Sequence, residues 1–85
     1  MKAVLYIRVS TDEQVKEGHS LDMQEERLTA YCNAMDIQVV GVERDEGISG
    51  GVPLHKREGG SNVLKMASSG KVTHIVALSL TRIFR

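Results

Sequence analysis

Ser10 and four arginines, Arg8, Arg57, Arg82 and Arg85, have the residue types needed for nucleophilic chemistry on an anion. Arg8 and Ser10 stand two apart in "YIRVSTDEQ" (6–14), so on a strand they share one face, with Tyr6 beneath them. A serine hydroxyl supplies the attacking oxygen. A guanidinium supplies a planar fork that binds two phosphate oxygens and stays charged at any working pH. A single arginine or serine at a strand end is ordinarily a solvated terminus. The set carries more weight because separate segments deliver its members to one place.

Those segments follow from the pattern of the chain. Residues 2–10, "KAVLYIRVS", are β-branched and aromatic and read as a buried strand ending near Ser10. Residues 11–19 are polar and contain Gly18, the mark of a loop. Ser20 is the expected N-cap of a helix with Asp22, Glu25 and Glu26 early in it. Leu21, Leu28, Tyr31, Cys32 and Met35 recur at helical spacing and predict an amphipathic helix to about Met35, with Gln24 on the same stripe. Residues 37–43 predict a second strand. "RDEGISGGVPLHKREGG" then holds five of the eight glycines and the only proline, a long loop of the kind that is functional or mobile. A second helix is expected from about Gly59 to Ser68, and a third strand over 72–80. The order βαβαβ implies an α/β fold with a parallel sheet and right-handed crossovers.

In a parallel sheet every strand's carboxyl end emerges at one edge, where ligands bind. The first strand brings Arg8 and Ser10 there, and "LTRIFR" (80–85) brings Arg82 and Arg85. The glycine-rich loop brings Arg57, near the start of the second helix. The third strand is expected to be central, with its covering helix after Arg85, so the chain reads as the truncated amino-terminal part of a longer domain.

Bulk composition narrows the choices. One domain fits in 85 residues, and 41% hydrophobic content with one Phe, two Tyr and no Trp gives a small core. Eleven basic and eleven acidic residues give no net charge, so contact with nucleic acid must come from locally placed arginines or a further segment. The lone Cys32 excludes an internal disulfide and fits a reducing compartment. No run of eighteen apolar residues occurs and the stretch after Lys2 breaks at Arg8, so no membrane span or signal peptide is expected and the default location is cytoplasmic. His19, His55 and His74 lack ligand spacing and are assigned, with Cys32, to structure or surface. Asp45 and Glu46 alone in a glycine-rich loop are weak evidence for a metal. The P-loop pattern is missing, because "GK" here precedes a strand.

Taken together, "YIRVSTDEQ", "SLDMQ", "DEGISG" with "KREG", and "LTRIFR" resemble the amino-terminal catalytic domain of the serine site-specific recombinases: resolvases, invertases and large serine integrases. Four motifs occur in order across residues 3–85. The resemblance implies a flavodoxin-like resolvase core, with the dimer-forming helix and DNA-binding domain beyond these residues. It implies that Ser10 attacks a DNA phosphodiester to give a 5′-phosphoserine link, needing no metal, nucleotide or other cofactor. Arg8, Arg57, Arg82 and Arg85 would bind the scissile phosphate, with Gln14 and Gln24 supporting. The implied partners are DNA and further copies of the chain in a dimer or tetramer, in a bacterial or phage-encoded protein with no membrane association.

One position departs from the pattern. Thr81 stands where the family usually has aspartate before the arginine, and a threonine can hydrogen-bond Arg82 but not pair with it as an ion. The isolated chain is therefore expected to be inactive, and a catalytically inactive remnant acting in subunit association is the alternative function. A small phosphate-ligand binder is a weaker third reading, because "STDEQ" stands where a glycine-rich turn is needed.

Overall fold

The computed structural model describes residues 1–9, 21–48 and 51–78. Its elements are β1 (Lys2–Val9), α1 (Leu21–Ala34), β2 (Gln38–Glu46), a short 3-10 helix (Leu54–Lys56), α2 (Glu58–Ser68) and β3 (His74–Val76). The loop expected over 11–19 and the cap expected at Ser20 lie outside the described residues. No helix among the described residues is long and apolar enough to cross a membrane.

The three strands form one parallel sheet in the order β2-β1-β3. The α/β, flavodoxin-like expectation holds, but β1 is the central strand and β3 lies at one side. The reason is visible in the winding. The chain steps one way from β1 to β2 through α1, then back past β1 to β3 through α2. Central placement demands burial on both faces, and Ala3 through Ile7 are each 0% exposed, which is why β1 reads as a continuous apolar run rather than an alternating one.

Two hydrophobic clusters sandwich β1. Leu5 and Ile7 face α1, packing with Leu28 and Cys32 and with the half-buried Leu21, Ile37, Val39, Val42 and Val76. Val4 and Tyr6 face the other way, against Val63 of α2, Val72, and the half-buried Leu54, Met66 and Ile75. The two crossovers run in opposite directions with their helices on opposite faces, so both have one hand. In β2 a register shift lets Ala3 pair with Val39 and Val4 with Gly41, which leaves Val40 as the extra residue.

Several expected boundaries move. Tyr31 and Met35 are 51% and 53% exposed; the buried stripe of α1 is Gln24, Leu28 and Cys32. β2 extends through "ERDE" because the central strand offers it a full ladder, from Lys2 opposite Gln38 to Val9 opposite Glu46. The expected long loop is shortened further by the 3-10 helix. Of the stretch 72–80, the residues His74–Val76 pair with β1.

Both helices end in the same turn. Ile37 N–H reaches the Cys32 carbonyl (2.8 Å) and Asp36 N–H that of Asn33 (3.3 Å). Lys71 N–H likewise reaches Met66 (3.0 Å) and Gly70 N–H reaches Ala67 (3.2 Å). This is the Schellman arrangement, which needs a left-handed residue just past the helix. Gly70 supplies it at φ 79° and Asp36 at φ 58°. The Asp36→Gly variant should therefore gain about 0.5 kcal/mol, and Gly70→Ala should lose about 1 kcal/mol although nothing lies within 4 Å of the added methyl. Urea unfolding of both variants checks this; equal and opposite-signed shifts from those stated would contradict it.

Candidate active site at the carboxyl edge of the sheet

The last residues before Ser10 are held from three sides. Gln24 is fully buried on α1 and donates from Nε2 to the Arg8 carbonyl at 3.2 Å. Gly47 N–H donates to the Val9 carbonyl at 2.9 Å, carrying the sheet ladder past β2. Arg8 itself is 4% exposed, and its Nη1 donates to the Ile48 carbonyl at 2.6 Å. The charged side chain thus spends one donor on the start of the glycine-rich segment and ties it to the end of β1.

Arg57 comes to the same edge by another route. It ends the 3-10 helix in extended backbone, and its carbonyl accepts from Ser61 N–H at 2.7 Å as α2 begins. Its side chain is 1% exposed. The guanidinium Nε donates to the Val52 carbonyl at 2.8 Å and Nη1 donates to the Tyr6 hydroxyl at 3.1 Å. Its central carbon lies 5.9 Å from the Tyr6 ring centroid, within range of a cation–π attraction.

Asp45 completes the arrangement. It sits opposite Arg8 in the β1–β2 register and is 4% exposed. Its Oδ2 accepts from the Tyr6 hydroxyl (2.7 Å) and from Gly60 N–H (3.0 Å), and its Oδ1 accepts from Gly59 N–H (2.8 Å). The carboxylate therefore satisfies two amides that α2's first turn would otherwise leave open, at the positive end of that helix's dipole. Both positions are crowded in a way that favours glycine: a Cβ on Gly59 would lie 3.0 Å from Asp45 Oδ1, and one on Gly60 would collide with the Leu54 carbonyl oxygen of the 3-10 helix, a backbone atom that cannot swing away.

The result is a buried chain from α2's amides through Asp45 and Tyr6 to Arg57. Each charge is compensated by hydrogen bonds, as burial demands. Burial pushes the Tyr6 phenol up to about 12; Asp45 adds to the rise and Arg57 opposes it.

Of the residues singled out from sequence, the structure brings Arg8, Gln24 and Arg57 to this edge. Ser10, Gln14, Thr81, Arg82 and Arg85 lie outside the described residues. Sequence reasoning passed over Tyr6 and Asp45 as site residues. The signal for Asp45 is its place across from Arg8, which depends on a pairing register that a linear pattern does not display. On the opposite face, Arg44 pairs with Asp22 and Glu25 of α1 at the surface, where such pairs add little. Cys32 is a core residue whose thiol burial pushes up. Among the described residues no three His, Cys, Asp or Glu side chains gather as metal ligands.

The Tyr6 phenol gives a direct prediction. Its folded pKa stands above the usual 10.0, so its contribution is complete below pH 10 and is lost as pH climbs through about 12. Across that window the chain should lose about 3 kcal/mol of stability from this group. In a Tyr31→Phe background, phenolate absorbance should have its midpoint near 12, and a midpoint near 10 would show the hydroxyl is not engaged.

The architecture and the sequence have known counterparts. The structure superposes on the N-terminal catalytic domain of TP901-1 integrase with TM-score 0.85 and 33% identity, over 100% of this chain and 61% of that one. It superposes on the C-terminal catalytic domain of ISC1926 TnpA, an IS607-like serine recombinase, with TM-score 0.84 and 29% identity, over 100% of this chain and 56% of that one. A protein of Bacillus phage phi105, "Uncharacterized immunity region protein 3", is 47% identical over 45 residues, which are 53% of this chain and 55% of that protein. The chain thus spans little more than half the length of each relative. The family described as "Resolvase, N terminal domain" matches residues 3–85, and the chain belongs to that family.

Proposed function

We propose that residues 1–85 form part of the catalytic domain of a serine site-specific recombinase, which breaks and rejoins DNA through Ser10. The observation that carries the reading is the meeting of Arg8 and Arg57, from separate segments, at the edge of the strand that runs into Ser10. Membership in the resolvase family supports it.

In this reading the Ser10 Oγ attacks the phosphorus of a DNA phosphodiester. The bond from phosphorus to the 3′ oxygen breaks, the 5′ phosphate becomes esterified to serine, and the proton lost by the Ser10 hydroxyl balances the one taken up by the departing 3′ oxygen, which leaves as a hydroxyl. The reverse attack by a new 3′-hydroxyl rejoins a strand. Serine at its ordinary pKa is a weak nucleophile. Arg8, Arg57, Arg82 and Arg85 neutralise the phosphate and the charge that builds on its oxygens, which assists attack without a metal or cofactor. Gln24 holds the Arg8 carbonyl and so the approach to Ser10, with Gln14 and Thr81 as the other supporting positions. DNA is the substrate and other copies of the chain are the partners, in the cytoplasm of a bacterium.

A second reading, a subunit-association module without catalysis, is favoured by Thr81. It stands where the family pattern has the acid that would pair with the following arginine.

A chimera separates them. Residues 1–85 replace the matching segment of TP901-1 integrase and the product is tested on that integrase's own DNA. The expected result is DNA linked covalently to Ser10, absent in Ser10→Ala, and formed roughly 10²–10³-fold more slowly in Arg8→Ala. An adduct that persists in Ser10→Ala contradicts the nucleophile. An adduct that appears only in Thr81→Asp establishes the second reading.

A further inference from the structure

The last residues of β2 alternate between the two helices. Val42 packs in the cluster under α1, and Glu43 accepts from Asn62 Nδ2 of α2 at 3.0 Å. Arg44 turns back to α1, where one nitrogen, Nη2, donates to Asp22 Oδ1 at 3.2 Å and to Glu25 Oε1 at 2.5 Å. Asp45 turns to α2 again and holds the Gly59 and Gly60 amides. This is the period of two that a strand imposes, and it makes neighbouring residues of β2 the fasteners of opposite helices. The Asp45 side leads to Arg57, and the Arg44 side leads to Gln24.

Asp22 and Glu25 bracket Gln24, whose Nε2 donates to the Arg8 carbonyl at 3.2 Å. The two acids are three apart on α1, so they are neighbours along one flank of its buried stripe of Gln24, Leu28 and Cys32. Leu21, Leu28 and Cys32 hold α1 on the sheet by apolar contact. Such contact is non-directional, so it keeps the helix close without fixing its rotation about its own axis. A hydrogen bond is less tolerant, and lengthening the Gln24 contact by about half an ångström would end it. Arg44 supplies the directional constraint, because a bridge to two carboxylates in the first turns of α1 fixes the rotation beside Gln24.

The bridge is exposed, with 92% of the Asp22 side chain open to solvent, so it adds little to the stability of the fold. Stability and position are separate roles for an ion pair. A pair worth little against unfolding still biases where a helix end sits, because the competing states there are small rotations of a folded chain. A supporting contact matters to chemistry at that scale, since reacting groups must be held to a fraction of an ångström.

We propose that Arg44 is a positioning residue for the nucleophile: through Asp22 and Glu25 it orients α1 so that Gln24 holds the Arg8 carbonyl and with it the approach to Ser10. The catalytic part rests on the reading of Ser10 as nucleophile, and the structural part does not. In the 85-residue chain, Arg44→Gln should leave the urea unfolding midpoint unchanged. It should speed solvent exchange of the Gln24 Nε2 protons, followed by NMR, by about fivefold, the weight of an exposed pair. In the TP901-1 chimera the same change should slow formation of the Ser10 adduct roughly three- to tenfold at saturating DNA. The DNA concentration giving half the maximal rate should not move. Reversing both charges, Arg44→Glu with Glu25→Arg, should restore slow exchange and the rate, which Arg44→Glu alone should not. Gln24 exchange that Arg44→Gln leaves unchanged overturns the proposal, and so does faster exchange with an undiminished rate. A loss that saturating DNA removes also overturns it, since Arg44 would then act by its charge on DNA. A chimera that forms no adduct with Arg44 in place contradicts the Ser10 reading instead, and Gln24 exchange alone then decides the role of Arg44.

Discussion

The carboxylate of Asp45 is the contact on which the site's geometry depends. It lies at the carboxyl end of β2 and is anchored by the ladder to β1. From there it holds two amides of α2's first turn and the Tyr6 hydroxyl. One buried group thus fixes a helix, a strand residue and, through the phenol, Arg57. Removing one member of a buried, hydrogen-bonded set of this kind leaves the others desolvated without compensation, which typically costs ~3–5 kcal/mol. Replacing the whole set with apolar groups could be close to neutral for stability, so its value lies in where it puts Arg57.

A second set of polar contacts performs the matching task on β1. Gln24, Gly47 and Arg8 secure the strand up to the residue before Ser10. The two sets differ in what they leave for chemistry. Arg8 is tied to the beginning of the glycine-rich segment at Ile48, and Arg57 to its later part at Val52. Both arginines therefore gauge the position of the same loop from opposite ends. Their burial keeps both guanidiniums in a low-dielectric setting, where each hydrogen bond they make is stronger than it would be in water.

Some of this is legible in the residues alone. "AVLYI" announces a strand buried on both faces, and the alternation of Tyr6, Arg8 and Ser10 places them together. Gln24 on an apolar stripe flags a buried amide with a partner. Other features are decided by tertiary contact. Tyr31 and Met35 share helical spacing with true core residues, but spacing alone does not say which apolar side chains find a neighbour. "RDE" (44–46) lacks any apolar alternation and reads as loop, yet it is strand because β1 pairs with it. Asp45 and the Gly59–Gly60 pair lie 14 and 15 residues apart, joined by a packing distance rather than a motif. The family resemblance supplied roles for the arginines; it did not show that Tyr6 links one of them to α2.

Asp45 acts on Arg57 through the Tyr6 hydroxyl, which donates to the carboxylate and accepts from the guanidinium. A double-mutant cycle with Asp45→Asn and Tyr6→Phe, read by urea unfolding, measures that link most directly. A coupling energy of about 1 kcal/mol or more is expected for a buried charge-assisted hydrogen bond at 2.7 Å. Losses that simply add, to within about 0.3 kcal/mol, would show that Asp45 and Tyr6 act independently and that the phenol carries no link to Arg57.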